Sequence, residues 1–167
     1  MNFRLVLIAL SLVVTPVKAE SPAADALTRQ ALLVMQLVAR QVASEGGLSK
    51  TALKCVQAVP SSEFYQATEQ LINLALTQPE RTVADSFFAT TVGQKYLTYG
   101  LSQLSSSAGG QPVPPPQFSD AENRELAQFA GTSAGQKFKT DQVMHSVYAE
   151  QKYGSRMREL LARCQIK

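Results

Sequence analysis

Residues 87–96 read FFATTVGQKY, and residues 129–138 read FAGTSAGQKF. The two stretches align without a gap at an offset of 42 residues. Each contains an aromatic residue, a hydroxyl residue, the tripeptide Gly-Gln-Lys and a second aromatic residue. A repeat of this kind indicates that one local structure is built twice, so it decides how the rest of the chain is organised.

Both copies of the repeat fit the hydroxyl-x-x-Gln capping box of a helix N-terminus, at Thr91 with Gln94 and at Ser133 with Gln136. In this box the hydroxyl accepts a free backbone N–H, and the glutamine reaches back to the cap residue. A helix should therefore end after the first aromatic residue, and the next helix should begin at once. Each unit is predicted to be two helices joined by a tight corner.

The glycine and the lysine that both copies share at matching positions also have predicted structural roles. Glycine in the first helical turn, at Gly93 and Gly135, would let a neighbouring backbone approach closely. The lysines that follow, Lys95 and Lys137, can project their charge while their stems cover apolar surface.

Start signals, stop signals and apolar periodicity predict helices along the remaining chain. The fold class predicted is all-α, a compact bundle of about five to seven helices that includes the two helix-corner-helix units. Capping boxes start helices at Thr77 and Ser119, ahead of each corner. Other helices are expected over about 22–44, 49–58, 63–76 and, last, 134–164.

The two copies of the repeat are separated by a connector rich in Ser, Gly and Pro at residues 105–117, in which Pro114–Pro116 favours polyproline II.

Residues 1–19 are predicted to be a signal peptide cleaved after Ala19, with an apolar run of ten residues, Leu5–Val14. Removing 19 of the 167 residues leaves 148, which is enough for a single domain, residues 20–167. An uncleaved membrane anchor is the alternative; after cleavage no transmembrane segment is expected.

Charge and cysteine content restrict the partners and the compartment. Without Arg4 and Lys18, the chain has 14 Lys and Arg against 13 Asp and Glu, a net charge of +1, which argues against nucleic acid as a partner.

An even cysteine count in an exported protein predicts a disulfide between Cys55 and Cys164. Closing a loop of about 110 residues would stabilise the fold by about 4–5 kcal/mol in the chain-entropy model. The expected location is the periplasm, with full secretion left open.

The second corner resembles a family of uncharacterised exported bacterial proteins. Their signature is a helix with early acidic residues and a late Phe, followed by Ser-Pro-x-Gly-x-Lys at the start of the next helix. The matching residues here are Asp120, Glu122, Glu125, Phe129 and 132–137, with a weaker copy in Asp85, Phe88 and 90–95. The resemblance covers roughly residues 77–164 and implies an all-α fold and an exported location, but no activity.

The chain departs from this family where proline would stand, since both copies lack it. Thr91 and Ser133 occupy those positions, so Thr90 and Thr132 are alternative cap residues.

Catalytic and metal-binding patterns are weak. Gly131–Gly135 fits Gly-x-Ser-x-Gly around Ser133, with Asp141 and His145 following in the order of a hydrolase triad. That motif needs a preceding strand, whereas a helix is predicted here. His145 is the only histidine and no Cys-x-x-Cys is present, so no metal, cofactor or catalytic site is predicted.

Three classes of function remain open. The first is a non-enzymatic exported protein that binds another protein, because no catalytic set is found and the first helix has a broad apolar face. The second is a carrier or chaperone for lipid or other apolar cargo. The third is a serine hydrolase that uses Ser133. The oligomeric state is left open.

Overall fold

The computed structural model describes residues 20–109, 111, 114–139, 143 and 147–166. The predicted signal peptide lies outside these residues. Within the described ranges the chain forms eight helices and no strand, so the prediction of an all-α bundle is confirmed. The helices are α1 Pro22–Ser44, α2 Lys50–Gln57, α3 Ser62–Ala75, α4 Gln78–Phe88, α5 Thr91–Ser107, α6 Asp120–Gly131, α7 Ser133–Lys139 and α8 Val147–Arg163.

Local capping chemistry explains where several helices begin. Ser21 caps α1, since its Oγ accepts the N–H of Ala24 at 3.1 Å, and Pro22 follows as the first helical residue. The two predicted capping boxes are present. The N–H of Thr77 donates to the Glu80 carboxylate at 2.7 Å, and the N–H of Ser119 donates to Glu122 at 2.7 Å.

The first helix is the centre of the bundle. α1 packs against α2, α3, α4 and α5, and α8 lies across α3. Ala23 and Ala24 at the start of α1 are fully buried, and their small side chains allow the neighbouring helices to approach closely. Asp85 of α4 secures this end by accepting hydrogen bonds from Ser21 Oγ at 2.5 Å and from the N–H of Ala23 at 3.1 Å.

A buried polar cluster joins three of the helices. Thr28 Oγ1 of α1 donates to Thr68 Oγ1 of α3 at 2.9 Å, and Thr68 Oγ1 donates to the carbonyl of Phe64 at 3.0 Å. Because the one Thr68 proton is used, Tyr153 of α8 must donate its hydroxyl proton to Thr68. Burial raises the pKa of Tyr153 to about 12, which keeps it a neutral donor.

The prediction of one continuous helix over 134–164 is wrong, because Val143 lies in a turn between α7 and α8. With this split the described ranges contain eight helices, where the sequence predicts about five to seven. The sequence of this interval includes Thr140 and Asp141, residue types of low helix propensity. Val143 itself is 1% exposed, so the turn places an apolar side chain in the core.

The predicted disulfide is confirmed. Cys55 of α2 and Cys164 after α8 are bonded, with their Cα atoms 5.5 Å apart and a sequence separation of 109. A structural disulfide is compatible with an exported location. No helix in the described ranges is long and apolar enough to cross a membrane.

Candidate functional site

The cap of each corner is the first of its two adjacent hydroxyl residues. Thr90 Oγ1 accepts the N–H of Gly93 at 3.0 Å, and Thr132 Oγ1 accepts the N–H of Gly135 at 3.0 Å. The capping-box assignment to Thr91 and Ser133 is therefore wrong, and the alternative drawn from the family resemblance is right. The physical reason is that the N–H groups a later cap would need, those of Gln94 and Gln136, already donate to the carbonyls of Thr90 and Thr132.

The glutamines also differ from the prediction. Gln94 Nε2 donates to the carbonyl of Phe88 at 2.6 Å, and Gln136 Nε2 donates to the carbonyl of Ala130. These carbonyls belong to the end of the preceding helix, where orphan acceptors need partners. Each glutamine therefore links the two helices of its corner instead of reaching back to the cap.

The predicted close approach at the glycines is confirmed. A Cβ atom added at Gly93 would lie 2.1 Å from the carbonyl oxygen of Phe87, and one at Gly135 would lie 1.9 Å from that of Phe129. Both distances are far inside van der Waals contact with backbone atoms. This corner geometry therefore accepts only glycine at these positions, and a larger residue requires the two helices to shift apart.

The two corner lysines do not project their charge into solvent, contrary to the prediction. Lys95 Nζ lies 3.1 Å from both carboxylate oxygens of Glu122 and 2.6 Å from the carbonyl of Gln117. Lys137 Nζ lies 2.8 Å from Glu80 Oε2 and 3.0 Å from the carbonyl of Ala75. Each lysine thus binds the capping-box glutamate of the other unit.

We call α4 with α5 the first corner unit and α6 with α7 the second corner unit. The ring of Phe87 stacks on that of Phe129, with centroids 3.9 Å apart and planes at 5°. These residues are equivalent in the repeat, so the stack lies where a two-fold axis between the units would pass. The two units are therefore paired reciprocally, because each supplies a lysine and a stacked phenylalanine that contact the other.

The lysine contacts perturb both glutamates. The hydrogen bond from Lys137, with further bonds from Ser133 and Thr77, lowers the pKa of Glu80 to about 2. For Glu122 the backbone N–H of Ser119 is the largest influence and Lys95 the second, and they also lower its pKa. Both carboxylates stay ionised at neutral pH, as the paired arrangement requires.

The hydrolase motif is placed at a helix corner, not at a nucleophile elbow. Ser133 is the first residue of α7, and its Oγ donates to Glu80. Gly131 is the last residue of α6, so no strand precedes the serine. Asp141 and His145 lie outside the described residues. Among the residues that are described, no group of His, Cys, Asp and Glu could hold a metal ion.

An apolar groove lies between α1 and the C-terminal end of α8. Its volume is about 190 Å³, and every lining side chain is apolar. Val34 and Val38 on the α1 side remain 40% and 56% exposed. The lining residues are Val34, Met35, Val38, Ala39, Val42, Leu48, Met157, Leu161 and Ile166.

The disulfide supports the second wall of this groove. Cys164 lies between Leu161 and Ile166, two of the lining residues, and it ties them to α2. Gln165 has a positive φ of 59°, and this turn lets the N–H of Ile166 donate to the carbonyl of Leu161 at 2.9 Å. The apolar face of α1 was predictable from the sequence, but this groove was not, because three of its nine lining residues, Met157, Leu161 and Ile166, come from the far end of the described chain.

A second apolar pocket, of about 200 Å³, lies between α1 and α5. Gly100 is at its edge, and a Cβ atom added there would meet nothing within 4 Å. Gln30 and Tyr96 supply the polar atoms among its lining residues, which also include Leu97, Leu101 and Val143.

No family model, curated protein or solved structure matches this chain. The resemblance to the exported bacterial family therefore stays a prediction. In the described residues the corner lysines and glutamates are paired with one another, whereas the α1–α8 groove is open.

Proposed function

We propose that this chain is an exported, non-enzymatic protein that binds another protein, in the periplasm, through the groove between α1 and α8. The observation that carries the proposal is the exposure of Val34 and Val38 beside a groove lined wholly by apolar side chains. Exposed apolar surface of this kind marks interaction sites on globular proteins.

The shape of the groove favours a protein over a small ligand. Small-molecule pockets typically have volumes of roughly 300–1,000 Å³ and enclose most of the ligand. This groove has about 190 Å³. A shallow apolar groove between two helices suits the apolar face of a partner helix, with anchors three or four residues apart. Fully burying one aliphatic anchor would contribute about 1.5–3 kcal/mol.

The test is a crosslinked pull-down of the mature, tagged protein, read by mass spectrometry, with Val38→Glu as the binding variant. Leu74→Glu is the matched control, because Leu74 is 65% exposed on α3 and does not line the groove. We expect one protein to be captured by the wild type and by Leu74→Glu, and to be lost from Val38→Glu. Capture of no specific protein by the wild type, or equal capture by both variants, would contradict the proposal.

The alternative is a carrier of lipid or other apolar cargo. The observation that favours it is the apolar pocket between α1 and α5, which at about 200 Å³ would have to widen to hold a lipid. Gly100→Leu would place a side chain in the open space beside that pocket. Under this alternative, native mass spectrometry of gently purified protein would show a bound lipid that Gly100→Leu loses. Protein without any bound lipid would exclude the carrier.

The third class, a serine hydrolase, depends on Ser133 acting as a nucleophile. A fluorophosphonate probe labels an activated serine. We expect no labelling, because the group that accepts the Ser133 hydroxyl proton is the Glu80 carboxylate, whose pKa of about 2 makes it too weak a base to activate a serine. Labelling that disappears in Ser133→Ala would overturn the non-enzymatic assignment.

A further inference from the structure

The equivalence of the two corner units extends to the ligands of each lysine. Each lysine binds the capping-box glutamate of the opposite unit and the main-chain carbonyl two residues before that unit's N-cap. Every one of these groups recurs at an offset of 42 residues. The pairs at this offset are Ala75 and Gln117, Thr77 and Ser119, Glu80 and Glu122, Phe87 and Phe129, and Lys95 and Lys137.

Each unit therefore carries both halves of the contact, the lysine and the glutamate that receives a lysine. A surface with this property is self-complementary under a two-fold rotation, as in an isologous dimer. We propose that the corner unit is a homotypic pairing module, whose partner is another copy of the same unit, and that in this chain the pair is closed within one molecule.

In a pair of first units, Lys95 of one copy meets Glu80 of the second copy, and Phe87 stacks on its own equivalent. The intramolecular pair prevails in the wild type because the connector holds the units at a high effective concentration, on the order of millimolar for a short linker. Wild-type protein at micromolar concentration should accordingly leave this surface closed.

Exchanging the charges within one unit tests the proposal. In E80K/K95E, both contacts within the chain become like-charged, since position 95 faces Glu122 and position 80 faces Lys137. Between two copies of this variant, positions 80 and 95 carry opposite charges, and the unchanged Lys137 and Glu122 also match. The variant should therefore pair between molecules.

Two controls carry the same kinds of substitution but keep opposite charges within the chain. E80K/K137E loses the same capping-box glutamate and reverses one internal ion pair. The quadruple variant E80K/K95E/E122K/K137E reverses both internal pairs. Both controls should stay monomeric.

Sedimentation velocity measures the outcome, with circular dichroism to follow helix content. We expect E80K/K95E to sediment with twice the monomer mass, where wild type and both controls sediment as monomers. About 1 M salt should return it to monomer, because the Debye length falls to roughly 3 Å and the internal repulsion is screened.

A monomeric E80K/K95E, folded or unfolded, would overturn the proposal if E80K/K137E is folded. A dimer that persists unchanged at high salt would also overturn it. The same comparison on the second unit, E122K/K137E against K95E/E122K, leaves position 80 unchanged. This second comparison decides the question if E80K/K137E does not fold. A dimer of E122K/K137E with a monomeric K95E/E122K supports pairing, and two monomers refute it.

Discussion

The two corner units make the same polar contacts but differ in how deeply they are buried. In the first unit, α4 buries Ala84, Phe87 and Phe88, and α5 buries Val92 and Leu97. In the second unit, α6 has no buried residue, and α7 buries only Ala134 and Gly135. The first unit lies against α1, whereas the second lies on the outside of the first.

This difference separates local from tertiary causes. The caps, the glycine approach and the glutamine bond are made within a few residues, so the same sequence produces them in either unit. Burial depends on which helices pack alongside, and α1 packs extensively against both helices of the first unit. The same substitution should therefore cost different amounts in the two units.

The largest effect is expected from the stacked rings. Phe87 is 5% exposed and also contacts the rings of Phe88 and Tyr96. Phe87→Ala should lower the free energy of unfolding by about 3–5 kcal/mol, and Phe129→Ala by less, because Phe129 is only half-buried. Urea denaturation measures both, with the exposed Leu74→Ala as control. Equal losses of unfolding free energy in the two phenylalanine variants would show that the difference in burial does not make the first unit more sensitive than the second.

A smaller effect is expected at the corner glycines. Gly93→Ala should cost about 1–3 kcal/mol, because its Cβ would overlap the Phe87 carbonyl and the surrounding core resists movement. Gly135→Ala should cost less, since α6 has no buried residue and can shift away.

Gly131→Ala is the matched control for the glycine pair. Its Cβ would have nothing within 4 Å, so alanine should stabilise the end of α6 by about 0.4–1 kcal/mol. The same urea denaturation distinguishes the three variants. A Gly135→Ala loss larger than that of Gly93→Ala would contradict the role assigned to core packing.

Sequence alone predicted the features that depend on local chemistry. The first helix has the predicted bounds, Pro22–Ser44, and both capping boxes and the disulfide are as expected. The predicted corner cap is one residue too late, because the hydroxyl-x-x-Gln pattern fits Thr91, whereas the actual cap, Thr90, has glycine three residues later. The hydrogen bond from the N–H of Gly93 to Thr90 Oγ1 identifies Thr90 as the cap.

The features that depend on tertiary packing were not predictable in the same way. Lys95 and Glu122 are separated by 27 residues, and Lys137 and Glu80 by 57, so no helical or turn spacing relates them. The sequence nevertheless contains one indication of these contacts, because a lysine and a capping-box glutamate both recur at an offset of 42 residues. The groove had no comparable signal, since its walls come from opposite ends of the described chain.

The smallest effects, and the finest test of the comparison, concern the two glutamates. The pKa of Glu80 is lowered from 4.5 to about 2. A lowered pKa in the folded state means that the ionised Glu80 stabilises the fold fully above about pH 4.5. This contribution is lost as the pH falls towards 2. The pKa of Glu122 is lowered as well, so both contributions weaken in acid.

The two glutamates should respond differently when their lysines are neutralised. Lys137 is the largest influence on Glu80, whereas the backbone N–H of Ser119 is the largest on Glu122. Lys137→Met should therefore raise the pKa of Glu80 more than Lys95→Met raises that of Glu122. Carboxyl-carbon NMR titration measures both, with the exposed Lys139→Met as control. Equal shifts would mean that lysine contributes alike to both glutamates. A larger shift at Glu80 would show that units with matching contacts can still divide the electrostatic stabilisation differently between side chain and backbone.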